Sequence, residues 1–312
     1  MRELLTPPGH RGPLISAGAV VLTVGVLLEQ IRITPGAGVQ FLVVAALAVL
    51  LLWLGLQGSL EEQDPPAWVS VLLVAGLLAL YAALLRLADL LGDPFGGDSF
   101  PAGTFVWTGL VEAGVAGFAC RRRGSAVALL IAVIAWSVTF LSFYDLVFDA
   151  HSVTPYRWLL LVLAISWSVA SLAVRDVRQR YAEQLVNAAG LAILAIALTS
   201  LPFVVLGTAS EAAGLLPDLW ELVLLAGGLG LIAYAAADRA PGPAYLGLFN
   251  LLAFALYVGF SRDETLKWWP IMLLLVGLAM VLIGLRPRIP LPPAPATSTS
   301  PGDQPLAARS DD

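Results

Sequence analysis

Residues Phe41 to Leu56 read FLVVAALAVLLLWLGL, an apolar run with no charge and no alternation, hydrophobic on every face of whatever regular structure it forms. A hydrocarbon layer about 30 Å thick is crossed by a helix of roughly 20 apolar residues, because each residue rises 1.5 Å. A barrel strand instead needs about ten residues that alternate apolar and polar. The run therefore selects a membrane helix, and with its flanks it extends from Gly38 to Gln57. Ala126 to Trp136 is apolar in the same way and gives the same reading.

Working outward, ten such stretches succeed one another between Pro13 and Leu285, separated by short polar breaks. The first half contains Pro13 to Ile31, Gly38 to Gln57, Trp68 to Leu91, Thr104 to Cys120 and Ala126 to Phe148. The second contains Trp158 to Val174, Leu185 to Gly207, Leu219 to Ala237, Tyr245 to Phe260 and Trp268 to Leu285. Thr34-Pro35-Gly36, Asp64-Pro65-Pro66, Gly92-Asp93-Pro94, Pro217-Asp218 and Pro241-Gly242-Pro243 punctuate them, as proline lacks the amide hydrogen and disfavours helix in the residue before it. The expected fold is an all-α polytopic transmembrane bundle of about ten helices. Residues 1–12 form a cytoplasmic N-terminal segment, 13–285 the bundle, and 286–312 a disordered cytoplasmic tail rich in Pro, Ser, Thr and Ala.

Composition agrees. Mean hydropathy is +0.86, 59% of residues are hydrophobic and 12% charged, against roughly 25% charged in soluble domains. Arg2, His10 and Arg11 precede the first run in the manner of a secretory signal, but no small-residue cleavage site follows, so the first helix is expected to be retained. The single cysteine, Cys120, excludes an intramolecular disulfide and a thiolate metal cage. Lipid is the expected partner; a pI near 5.1 gives no reason to expect nucleic acid, and no protein partner is indicated.

Orientation follows from Arg121, Arg122 and Arg123 in one break and Arg175, Arg178 and Arg180 in another, both expected to face the cytoplasm of a cytoplasmic (inner) membrane. Ten crossings then place both termini inside, with most of the 17 Lys and Arg. Half of the 22 acids fall outside, together with Arg32, Arg86, Arg157, Arg262 and Lys267. Trp68, Trp107, Trp158, Trp220, Trp268 and Trp269 fall near helix ends, where an amphipathic ring suits the interface. Val71 to Leu77 resembles Val223 to Leu229, a thin basis for an inverted repeat of five plus five helices.

Few polar residues lie deep in these stretches. Glu112 is near the middle of the fourth, where an ionised acid costs roughly 2.5–3.5 kcal/mol, so it needs to face the interior, be neutral or have a partner. Two roles are open to it: a static interhelical hydrogen bond, or the handling of a proton or substrate. Gly109, Gly114 and Gly117, with Ala113 four residues before Gly117, offer a face for close helix approach. Arg86 and Asp89 lie about a turn apart near the outer end of the third helix, either as an interfacial pair or with Arg86 reaching Glu112. Tyr144, Asp145, Asp149 and His151 form a second polar group, too sparse for a metal site. Gly227, Gly228 and Gly230 could break the eighth helix, Pro202 after Thr199 and Ser200 could kink the seventh, and Asn250 reads as interhelical glue.

No His-Glu-x-x-His, Gly-x-Ser-x-Gly or Walker pattern is present, and only two histidines exist, so no cofactor is expected and these enzyme classes are set aside, while a hydrolase using the carboxylates of Asp145 or Glu112 stays open. The expectation is a transporter-like permease for a small solute or ion, with Glu112, Arg86, Asp89 and Asp145 as the substrate- or proton-handling residues. The alternative is a non-transporting scaffold or assembly component of the cell envelope. An enzyme acting on lipid headgroups is a third, weaker option.

Overall fold

A computed structural model describes residues 12–32, 36–57, 66–92, 102–149, 152–199 and 218–260. Among these, every regular element is a helix. In chain order they are α1 (Gly12–Arg32), α2 (Ala37–Leu56), α3 (Ala67–Leu90), α4 (Ala102–Arg123), α5 (Ala126–Phe148), α6 (Thr154–Arg175), α7 (Gln179–Leu198), α8 (Asp218–Asp238) and α9 (Pro241–Phe260). Seven, α2 to α8, are long and apolar enough to cross a membrane. The chain is thus a multi-pass membrane protein in contact with lipid. The tenth expected helix, Trp268 to Leu285, the segment before Gly12 and the tail 286–312 lie outside the described residues.

The apolar cores of the nine described helices fall where expected, but the ends of four of them do not. α4 continues to Arg123, so the arginine triplet forms its last turn rather than a loop, where cations meet the negative end of the helix dipole. Only Gly124 and Ser125 then join α4 to α5. Gly124 takes φ +65, which suits glycine, and the Ser125 hydroxyl accepts from Ala128 N at 3.4 Å to cap α5. α6 begins at Thr154, with proline in its first turn. α7 runs from Gln179 to Leu198 rather than from Leu185 to Gly207, and Pro202 lies outside the described residues. α9 begins at Pro241, so the expected break Pro241-Gly242-Pro243 is its first turn, where a missing amide hydrogen costs nothing.

α3 packs against α1, α2, α4 and α5, and α7 against α5, α6, α8 and α9. These two are the most buried of the seven spans. The surrounding surface is studded with exposed apolar side chains such as Leu42, Trp53, Phe143, Leu172 and Phe249, stable against acyl chains and untenable in water. The two halves are not packed alike: α1 lies mainly along α3, whereas α6, its counterpart in a five-plus-five repeat, lies mainly along α7.

Contacts at the helix ends fix the directions. Leu56, Trp68, Ala119, Cys120, Ala128 and Tyr181 share one cluster, and Trp68 also lies against Gly12. Arg175 pairs with Asp238, and Gly242 faces Asn187 and Glu183. The starts of α1, α3, α5, α7 and α9 and the finishes of α2, α4, α6 and α8 therefore meet at one end, with both arginine groups. At the other end Tyr156 donates to Asp145, Arg157 Nε donates to Thr199 Oγ1 at 3.0 Å, Trp158 meets Trp220 edge-on at 4.9 Å, and Tyr257 donates to Ala197 O. Consecutive helices alternate in direction. Arg157, expected just before the sixth helix, is instead buried in the first turn of α6 at 6% exposure, because that helix starts before its apolar run does; Glu221, expected near the outer end of the eighth helix, is buried in the first turn of α8 at 5%.

Candidate functional site

α4 buries a stripe of Phe105, Thr108, Gly109, Glu112, Ala116, Ala119 and Cys120, spaced three and four apart along one face. Glu112 is the only acid in that helix and stands near its middle, about 15 Å of rise from either end. Its position on the buried stripe, rather than on the exposed face of Leu110, Val111 and Gly114, is the inward placement that the cost of a carboxylate in hydrocarbon demands.

Close packing of α4 on α5 occurs at a single level of the α4 glycines. A methyl group built on Gly109 would lie 2.3 Å from Thr139 Oγ1 and 3.2 Å from Ala135 O, whereas nothing lies within 4 Å at Gly114 or Gly117. The expected small-residue face is therefore corrected: Gly109 makes the approach and the other two do not. Thr139 donates to Ala135 O at 2.9 Å and Thr108 to Thr104 O at 2.7 Å, so both hydroxyls spend their protons within their own helices.

Beside this contact the three helices α3, α4 and α5 leave a crevice of about 210 Å³. It is lined by Leu78 and Tyr81 of α3, Gly109 and Glu112 of α4, and Ile131, Ile134, Ala135 and Val138 of α5. Glu112 is 3% exposed, and its Oε2 has no hydrogen-bond partner. Tyr81 is half-buried and is the other lining residue with a polar side chain. Leu78 and Ile134 stand 52% and 38% exposed at the rim. A buried carboxyl oxygen with nothing to bond is costly for the fold, and such atoms are unusual enough to call for an explanation.

The other expected site residues are distributed elsewhere. Arg86 pairs with Asp89 at 3.0 Å, as residues three apart on α3, at a level about 7 Å of helix rise beyond Tyr81. Asp145 accepts from Tyr156 where α5 and α6 meet. Asp149 ends α5 in a left-handed conformation, its amide bonding to Asp145 O. The structure thus joins Arg86 to Asp89, gives Asp145 a tyrosine, and sets Glu112 with Tyr81 in the crevice. Among the described residues no three His, Cys, Asp or Glu side chains are grouped as metal ligands; His151 lies outside them.

Two of the three glycines of α8 serve packing, and Gly230 has nothing within 4 Å. The helix is continuous, Gly227 lies against Ile193, and Gly228 against Leu251 and Gly247 O. Asn250 donates to Gly190 O at 3.3 Å and to Leu246 O at 2.9 Å, tying α9 to α7 as expected. The sequence reading missed Tyr81 as a neighbour of Glu112 and missed the group of Arg157, Thr199 and Tyr257. A polar residue within an apolar run was the available signal for Tyr81, but nothing in one dimension tells which run it faces. Comparison with protein families, with curated proteins and with solved structures finds no match to this chain.

Proposed function

We propose that the chain is a transporter-like permease for a small solute or ion in a cytoplasmic membrane, with Glu112 as the group that binds cargo or takes up a proton. The observation that carries this reading is the Glu112 carboxyl, buried at mid-depth with an unbonded oxygen on the wall of a crevice. Asp238 and Asn250 also keep one buried oxygen without a partner while their other atoms tie helices together; what sets Glu112 apart is its place at mid-depth in the lining of the crevice. Removing water around such an acid favours its neutral form, so loading and unloading of a proton or cation can be coupled to one another. Arg86 with Asp89, and Asp145 with Tyr156, then belong to the far end of the path, as groups that set the charge met on leaving or entering.

The test is reconstitution of the purified protein in liposomes under a pH gradient, with proton and cation flux recorded. The expected result is a flux that depends on pH and is abolished by Glu112→Gln, with the variant folded. Unchanged flux in that variant removes Glu112 from the mechanism, and no flux in the parent protein transfers the assignment to a non-transporting scaffold of the envelope.

A further inference from the structure

The crevice has a property that the permease reading does not by itself require: its opening is at the depth of the acyl chains. Leu78, Glu112 and Ile134 all lie near the middles of their helices, and the rim residues Leu78 and Ile134 are exposed on the bundle surface. Whatever passes between them comes out of hydrocarbon, not out of water. Apart from Glu112 and Tyr81 the lining is aliphatic, from Leu78, Ile131, Ile134, Ala135 and Val138. A volume of about 210 Å³ is below the roughly 300–1,000 Å³ of clefts that enclose drug-sized ligands.

We propose, resting on the reading of Glu112 as the cargo-binding group, that the crevice takes a small lipophilic amine directly from the bilayer. The charge of the site decides the sign of the ligand: the one ionisable acid on the wall attracts a cation and repels an anion. The depth of the opening decides its polarity, because a permanently hydrated ion does not partition to mid-membrane. An amine meets both conditions. It crosses the acyl chains as the neutral base, its nitrogen lone pair takes the proton of the Glu112 carboxyl, and an ammonium–carboxylate pair results. Atoms and charge balance, since the proton only moves from oxygen to nitrogen and no net charge enters the membrane. The unbonded Oε2 gains a donor, and the phenol ring of Tyr81 offers a face that favours a cation.

The experiment uses the full-length protein in phosphatidylcholine nanodiscs and measures equilibrium binding of radiolabelled 2-phenylethylamine. Phenylacetate and 2-phenylethanol serve as anionic and neutral probes of the same shape. Saturable binding of the amine, at least tenfold weaker binding of the other two, and at least tenfold loss in Glu112→Gln are expected. Ile134→Trp, which fills the rim without touching the carboxyl and places its ring among lipid tails, is expected to lose binding also. Equal binding of the three probes, binding indifferent to Glu112→Gln, or full binding in Ile134→Trp would each overturn the proposal. The liposome flux of the preceding subsection separates the two readings: Glu112-dependent flux of protons without amine binding overturns this proposal and leaves the permease, whereas amine binding without any flux keeps the site and removes the permease.

Discussion

Replacing Gly109 by alanine tests the packing that sets the width of the crevice. The new methyl would stand 2.3 Å from Thr139 Oγ1, where ordinary contact begins at 3.4 Å, so α4 and α5 would have to part by about 1 Å or Thr139 would have to turn. Turning costs Thr139 its bond to Ala135 O and leaves the methyl 3.2 Å from that same carbonyl. Overpacking of this kind costs roughly 1–3 kcal/mol, against a gain of up to about 1 kcal/mol from replacing glycine inside a helix. The net expectation is a loss of about 1–2 kcal/mol. The same substitution at Gly114 or Gly117, where nothing lies within 4 Å, meets no obstacle and keeps the gain, so the sign reverses within one helix. Cys120 supplies the assay: the only cysteine and buried at 6% exposure, it reacts with a fluorogenic maleimide as the bundle opens, and the midpoint of thermal unfolding in detergent reads the stability. Thr139→Ala in the Gly109→Ala background is expected to recover about 1 kcal/mol, a coupling of ordinary size for residues in contact. If Gly109→Ala moves the midpoint in the same direction as Gly114→Ala, the close approach of α4 and α5 is wrong.

Asn250→Leu removes the donor shared between Gly190 O and Leu246 O and is expected to lower the midpoint through a stability loss of about 0.6–1.7 kcal/mol, the range for hydrogen bonds between membrane helices; no change would remove it as a tie between α9 and α7. For Arg175 with Asp238, at 44% and 5% side-chain exposure, a double-mutant cycle is expected to give a coupling of about 0.2–1 kcal/mol. Arg175→Ala alone costs more than Asp238→Ala alone, because it strands the buried partner, and the reverse order would argue against the pair. Arg122→Cys and Ser152→Cys, introduced one at a time into Cys120→Ala protein, lie at opposite ends of the bundle; an impermeant thiol reagent is expected to reach the first only in inside-out vesicles and the second only in right-side-out ones. Labelling of both in one preparation would refute the alternation of the helices, and the opposite pattern would invert their orientation.

Hydropathy made the cores of the nine described helices legible, because a hydrocarbon solvent demands long apolar runs of any sequence that spans it. It failed at the ends for the same reason. Arg121 to Arg123, Thr154 to Arg157, Gln179 to Gln184 and Pro241 to Pro243 are helical in the structure but lie in first or last turns, where polar groups are acceptable and the apolar signal has already stopped. Depth was equally legible: the position of Glu112 along its helix could be counted. Its surroundings could not, since the walls contributed by Tyr81 and Ile134 come from α3 and α5, and which helices adjoin is decided by three-dimensional packing that a linear pattern of Leu, Val and Ala does not encode. The glycines show the same limit, with Gly109 and Gly114 indistinguishable until α5 is placed beside one of them.

The two-residue turn between α4 and α5 bears on how the protein is made. α4 is the least apolar of the seven spans and carries both a central acid and three terminal arginines, while α5 is among the most apolar. Emerging alone from the ribosome, α4 is expected to be a poor substrate for lateral release from the translocon; with only Gly124 and Ser125 between them, the segment that follows is expected to draw it in. Among the described helices, the one that carries both a central acid and three arginines is thus expected to depend on its neighbour for its place in the bilayer, and a nascent chain halted before Phe148 would be expected to leave it behind.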